Sequence, residues 1–142
     1  MSHVSLIDCN VIDLDCLKIS AEELGGTLVE KSTYEWFGRH VGDYPIPEGF
    51  TKEEMGMCDY AIKFSEAKYE VGVVKKKEGK GYHLLWDFWN NGFGLKEKIG
   101  ENGIKLIDEY RTQVIAKKMK RKGYHVKRTR RHDGIPRLIL TK

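Results

Sequence analysis

The residues best able to do chemistry lie near the end of the chain, where cations accumulate without acids to balance them. The segment 117–131 holds nine Lys and Arg residues and no Asp or Glu. Such a density of cations attracts phosphates, because binding releases counterions condensed on a polyanion. Tyr124 within the segment offers a ring on which a base could stack. The nine cations of this basic end are Lys117, Lys118, Lys120, Arg121, Lys122, Lys127, Arg128, Arg130 and Arg131.

The charge of the chain is divided between its two parts. Residues 1–116 carry 14 Lys and Arg against 20 Asp and Glu, whereas residues 117–142 carry 11 against 1, within a net charge of +4. An anionic partner is therefore expected at the end of the chain. The alternative is a solvated face that meets the acidic remainder of the fold or of a neighbouring subunit.

A second candidate region is the aromatic loop, residues 31–57, which shows no helical or strand periodicity. It is rich in Gly and Pro and contains five aromatic residues, more than a disordered linker usually carries. One interpretation is an ordered flap packed on a sheet. The other is a lid that covers a ligand, in which case Trp36 and Phe37 join the basic end as ligand-binding residues.

Asp87 is the best candidate for acid–base chemistry, since it lies between Trp86 and Phe88 at the end of an apolar strand. A carboxylate in such surroundings needs a partner or has a raised pKa. Paired with a histidine it could serve a small enzyme, or it could simply face solvent or cap a helix. The spacing of the histidines resembles no metal motif, and no nucleophile elbow, phosphate-binding loop or zinc-protease motif is present. We expect neither a metal nor a cofactor.

Length and composition favour one domain spanning residues 1–142, with 40% hydrophobic and 32% charged residues. The three cysteines form no Cys-x-x-Cys pair, which favours a reducing compartment. The opening Met-Ser-His-Val-Ser does not have the pattern of a signal peptide, and no apolar run approaches the roughly 20 residues of a membrane span. We expect a cytoplasmic protein that does not bind membranes.

The elements that must position these residues centre on a three-stranded antiparallel meander between Tyr60 and Trp89. Apolar residues alternate there with a period of two, which is typical of strands with one face in a core. A strand near residues 4–9, apolar on both sides, is predicted to be central in the sheet. Asp13 is predicted to cap a helix that ends before Gly25-Gly26, and residues 27–30 form another strand.

A second long helix is predicted from residue 101 or 102 to Gly123, with Ile104, Ile107, Tyr110 and Val114 as its buried stripe. Residues 124–141 then form a hairpin around an Asp-Gly turn. The predicted fold is α+β: a mostly antiparallel sheet of about six strands with two helices packed on one face.

Several short motifs carry a family resemblance across nearly the whole chain. They are the opening Met-Ser-His-x-Ser-x-Ile, the Ile-Asp-Leu-Asp-x-Leu of residues 12–17, Tyr-Glu-Val-Gly at 69–72, Gly-Tyr-x-Leu followed by Asp-x-Trp within 81–89, and the closing hairpin. With them the chain resembles the hypothetical chloroplast reading frame thirty-five family of plastids and cyanobacteria, which has bacterial and phage relatives. The aromatic loop and the basic end depart from the plastid pattern. The resemblance implies the architecture and supplies no catalytic residues.

The sequence therefore predicts a non-enzymatic binding protein whose ligand carries phosphates, either nucleic acid or a nucleotide held between the basic end and the aromatic loop. The alternative is an adaptor or assembly factor that binds a protein partner through residues 31–57. A small enzyme using Asp87 and a histidine is the third hypothesis.

Overall fold

The computed structural model describes residues 2–142 and has an α+β architecture with seven strands in two antiparallel sheets. The predicted class is thus confirmed, while the count of about six strands in one sheet is corrected to five plus two. The elements are β1 Val4–Val11, α1 Leu14–Glu23, β2 Gly26–Glu30, β3 Tyr60–Phe64, β4 Val71–Lys75, β5 Tyr82–Asp87, α2 Leu95–Ile99, α3 Ile104–Arg121, β6 His125–Arg130 and β7 Pro136–Thr141.

The five-stranded sheet has the order β1-β5-β4-β3-β2, and its three central strands are the predicted meander. The prediction that β1 is central is wrong, since β1 lies at one edge and pairs only with β5. It is buried on both faces for another reason. Val4 packs in a cluster formed with the aromatic loop, whereas Ile7 packs in the cluster that contains the helices. Coverage by a loop has the same effect on the sequence pattern as a second neighbouring strand.

The core consists of two clusters on opposite faces of this sheet. The larger one joins Leu17 of α1 and Leu106 of α3 to strand residues such as Ile62. The smaller one joins Ala61, the neighbour of Ile62, to Tyr34 of the aromatic loop. Because successive strand residues point to opposite faces, the helices' buried side chains and the loop's buried side chains are separated by the sheet.

Helix α1 begins as the sequence predicts. The Asp13 carboxylate accepts a hydrogen bond from the backbone N–H of Cys16 at 3.1 Å, which satisfies one of the free amides of the first turn. Leu17 and Ala21 are fully buried. The chain leaves the helix through Gly25, whose φ of +88° is accessible to glycine at little cost.

The buried face of α3 differs from the predicted stripe. Ile107 and Tyr110 are buried as expected, but Ile104 and Val114 are 48% and 36% exposed. The buried side also includes Glu109, which is only 1% exposed. After Tyr110 no residue of α3 is buried, so the second half of the helix extends beyond the core.

The closing hairpin, β6 and β7, forms its own two-stranded sheet and packs against α3. Its register is regular, with Arg128 opposite Leu138 and Arg130 opposite Pro136. No helix among residues 2–142 combines the length and apolarity that crossing a membrane requires.

Candidate functional site

The second half of α3 presents cations because it has left the core. Lys118, Lys120 and Arg121 are exposed in its last turns, and Lys122 caps its C-terminus. Cations at this end of a helix interact favourably with the negative end of the helix dipole, so part of the basic end stabilises the helix itself.

Lys117 points away from these neighbours and toward α1. Its Nζ donates to Oδ2 of Asp13 at 2.6 Å. This hydrogen bond lowers the pKa of the Asp13 carboxyl below 3.8 and raises the pKa of Lys117 above 10.5. Since the same carboxylate caps α1, Lys117 joins the end of α3 to the start of α1 and is already neutralised.

Arg128 and Arg130 also have internal partners. Both belong to the hairpin face that packs against α3, and both contact the carboxylate of Glu109. Arg128 Nη2 donates to Oε2, while Arg130 Nη1 lies 2.7 Å from Oε1 in an ionic contact without ideal hydrogen-bond geometry. Arg130 also reaches Glu23 of α1 at 3.4 Å. These two arginines therefore hold the hairpin on the helices.

Glu109 is the residue that sequence reasoning missed. The available signal was its position three residues after Leu106 and one before Tyr110, on the face that α3 buries. A buried carboxylate needs a cation, and the hairpin that follows α3 in the chain carries several cations. Arg131, in the turn between β6 and β7, is paired with Asp133 at 3.1 Å.

Five cations of the basic end have no carboxylate within ion-pairing distance among residues 2–142. They are Lys118, Lys120, Arg121, Lys122 and Lys127. Lys127 lies on the outward face of the hairpin, because its neighbour Arg128 points to α3 and successive strand residues alternate. Thr129, two residues after Lys127, lies on the same outward face. Arg137 is opposite Thr129 in the hairpin and therefore lies on that face as well. Arg137 was outside the predicted set and is also unpaired in the described part of the chain.

Tyr124 is half-buried between α3 and β6, and the ammonium of Lys142 lies 5.0 Å from its ring centroid. Its ring is therefore in contact with a cation of the chain itself. Lys142 therefore competes with a base for one face of this ring.

The structure does not bring Trp36 and Phe37 together with the basic end. Trp36 packs in the smaller cluster, on the face of the sheet opposite the helices' buried residues. Phe37 packs against the larger cluster, beside Trp89 at the end of β5, with a ring separation of 6.5 Å. Among residues 2–142, no cation of the basic end lies over either ring.

The aromatic loop is fastened to the sheet at two buried carboxylates. Glu70 accepts from Lys31 Nζ and from the backbone N–H of Glu35, each at 2.9 Å. Gly72 allows the ring of Tyr34 to approach, since a Cβ there would lie 2.4 Å from that ring. Of the five aromatic side chains in the loop, Tyr44 is the one classed as exposed, at 38%.

Asp87 is the second anchor. It is fully buried, and its carboxylate accepts from three backbone amides, those of His3, Phe37 and Trp89, each at 3.0 Å. His3 approaches Asp87 through its backbone, while its imidazole lies among aromatic rings, 4.9 Å from Tyr44 and 5.3 Å from Phe88. The burial of Asp87 is thus explained by its role in joining β1, β5 and the loop.

No family model, curated protein or solved structure matches this chain. Its likeness to the hypothetical chloroplast reading frame thirty-five family stays a hypothesis based on the short motifs alone. Among residues 2–142, no group of three or more His, Cys, Asp or Glu side chains is arranged to hold a metal ion.

Proposed function

We propose that this protein binds a phosphate-bearing polymer, a single-stranded nucleic acid, through the unpaired cations of its basic end. The contact residues are Lys118, Lys120, Arg121, Lys122 and Lys127. The paired cations, Lys117, Arg128, Arg130 and Arg131, position this surface and are not expected to contact phosphates.

The observation that supports the proposal most directly is that some cations of the basic end are paired with internal carboxylates and the others are not. Internal carboxylates neutralise four of the nine cations, and the five others have no such partner in the part of the chain described. A cation that faces only solvent is free to displace counterions from a phosphate. The number of cations available to a ligand is therefore smaller than the nine counted in the sequence, but these cations are still concentrated at one end of the chain.

An extended polymer fits this surface better than a compact nucleotide. The unpaired cations are exposed and lie on the last turns of α3 and on the outward face of β6. Surface cavities of 640, 890 and 440 Å³ are lined by other residues. Grooves that track a nucleic-acid backbone need charge along a path, whereas nucleotides usually occupy enclosed pockets.

The test is a titration followed by amide chemical shifts of the ¹⁵N-labelled protein. Single-stranded DNA and RNA of about twelve nucleotides are compared with ATP as the compact ligand. Saturable shifts at residues 118–127 for the polymers, with much smaller shifts for ATP, support the proposal. Absence of shifts with all three ligands, or shifts confined to residues 31–57, contradicts it.

A further inference from the structure

A groove runs beside the free edge of β1, on a part of the molecule that is separate from the basic end. Its cavity has a volume of 890 Å³. It is lined by Leu6 and Asp8 of β1 and by Ile104 at the start of α3. Tyr44 of the aromatic loop closes one side. We refer to this feature as the edge groove.

The backbone of β1 presents unused hydrogen-bonding groups to this groove. The N–H of Phe88 donates to the carbonyl of His3 at 2.9 Å, so His3 and Phe88 occupy the place of a hydrogen-bonded pair in the ladder, although the N–H of His3 donates to Oδ1 of Asp87. In an antiparallel ladder such pairs alternate with pairs whose N–H and C=O groups point away from the partner strand. Leu6 is opposite Leu85, three residues further along the same register. The backbone N–H and C=O of Leu6 therefore point toward the free edge.

Apolar side chains line the groove without being covered. Leu6 is 39% exposed, Tyr44 is 38% exposed and Ile104 is 48% exposed. A free strand edge with apolar side chains beside it is a surface that natural proteins usually protect. Here neither a charged side chain nor a proline interrupts residues 4–7 of β1.

The charge of the groove is negative. Asp8 and Glu101 line it, no Lys or Arg does, and neither carboxylate has an ion pair within residues 2–142. Nucleic acid is thus disfavoured here, and a cationic side chain is favoured.

From these observations we infer that the edge groove binds an extended segment of a partner protein, which adds a strand to β1. Backbone hydrogen bonds to Leu6 supply the pairing, and apolar side chains of the segment lie on Leu6, Tyr44 and Ile104. A Lys or Arg of the segment lies near Asp8 and Glu101. This partner site does not depend on the proposed binding of nucleic acid.

The probe is a synthetic peptide of about eight residues in which Val and Arg alternate along one face and Thr occupies the other face, because Leu6 and Asp8 share one face of β1. It is compared with a peptide in which Glu replaces Arg, and with one in which alternate backbone amides are N-methylated. We expect the Arg peptide to shift the amides of residues 4–8 and 101–104 saturably. The Glu peptide is expected to bind at least about tenfold more weakly, and the N-methylated peptide should fail to bind because strand pairing needs its amides.

Two variants define the site. Asp8→Asn with Glu101→Gln should weaken the Arg peptide several-fold, while the matched control Asp15→Asn with Glu22→Gln, two exposed acids of α1, should not. Leu6→Thr, a change suited to an exposed strand position, should weaken all binding. Equal binding of the Arg and Glu peptides, or undiminished binding after N-methylation, overturns the inference. So does a concentration-dependent dimer that Leu6→Thr dissociates, because the occupant would then be a second copy of this chain.

Discussion

Arg130 Nη1 lies 2.7 Å from Oε1 of Glu109, so an arginine of the basic end is held by a carboxylate whose side chain is only 2% exposed. Arg128 contacts the other oxygen of the same carboxylate. Glu109 thus fixes two alternate positions on one face of β6 to the middle of α3. The placement of Lys127, which precedes these two arginines, and of Arg131, which follows them, depends on this contact.

Replacement of Glu109 by Ala should destabilise the protein by about 2–3 kcal/mol, because it removes a charged hydrogen bond from Arg128 and an ionic contact with Arg130, whose side chains are 23% and 39% exposed and stay partly solvated. Equilibrium unfolding in urea measures the change. The control is Asp108→Asn, at the neighbouring position, whose carboxylate has no ion pair among residues 2–142. If both variants unfold at the same urea concentration as the original protein, Glu109 does not anchor the hairpin.

The pair between Lys117 and Asp13 should stabilise the protein only where Asp13 is ionised. The folded-state pKa of Asp13 is lowered, chiefly by the hydrogen bond from Lys117, from an ordinary value of 3.8. The stabilisation is therefore complete above about pH 5 and is lost as the pH falls through 3.8 and then through the folded-state pKa.

Lys117→Met should accordingly lower the urea midpoint at pH 7 and change it little at pH 2. The control Lys118→Met removes an unpaired cation from the next position of α3. A deficit for Lys117→Met that is as large at pH 2 as at pH 7 would show that the ammonium acts through something other than Asp13.

The aromatic loop is expected to contribute to stability and not to ligand binding. Trp36 packs against Gly56, where an added Cβ would lie 2.4 Å from the indole nitrogen, and it is half-buried in the smaller cluster. Trp36→Ala should cost about 2–3 kcal/mol, somewhat less than the roughly 3–5 kcal/mol of a fully buried ring. Oligonucleotide affinity should be unchanged.

Thermal unfolding and fluorescence anisotropy measure the two effects of Trp36→Ala. Phe93→Ala, which removes a ring that is 38% exposed, is the matched control and should change stability less. Weakened oligonucleotide binding with intact stability would restore the interpretation of the loop as a lid.

The parts of the fold that were predictable are those with a strong local pattern. The meander follows from period-two alternation, as Ile62 and Ala61 illustrate by entering different clusters. The start of α1 follows from Asp13, because a cap needs only residues adjacent in sequence. Such signals are complete within a few residues of the chain.

The parts that were not predictable depend on contacts between distant segments. The edge position of β1 is set by pairing with β5, about eighty residues later, and by the loop that covers its second face. The site was predicted at the level of charge, but the sequence could not show which cations Asp13 and Glu109 neutralise. Lys117 is 104 residues from Asp13 in the chain, and Arg128 is 19 residues from Glu109.

The central claim is that unpaired cations of the basic end bind phosphates, and the salt dependence of oligonucleotide affinity tests it most directly. Each phosphate contact with a single strand contributes about 0.7 to the slope of log affinity against log salt. The test variant is Lys118→Gln with Lys122→Gln and Lys127→Gln. The control, Lys75→Gln with Lys76→Gln and Lys80→Gln, removes the same charge around the turn that joins β4 to β5, from three lysines that have no ion pair within residues 2–142. We predict that the test variant flattens the slope by about 2 units and that the control leaves it nearly unchanged. Equal slopes for both variants would contradict the account.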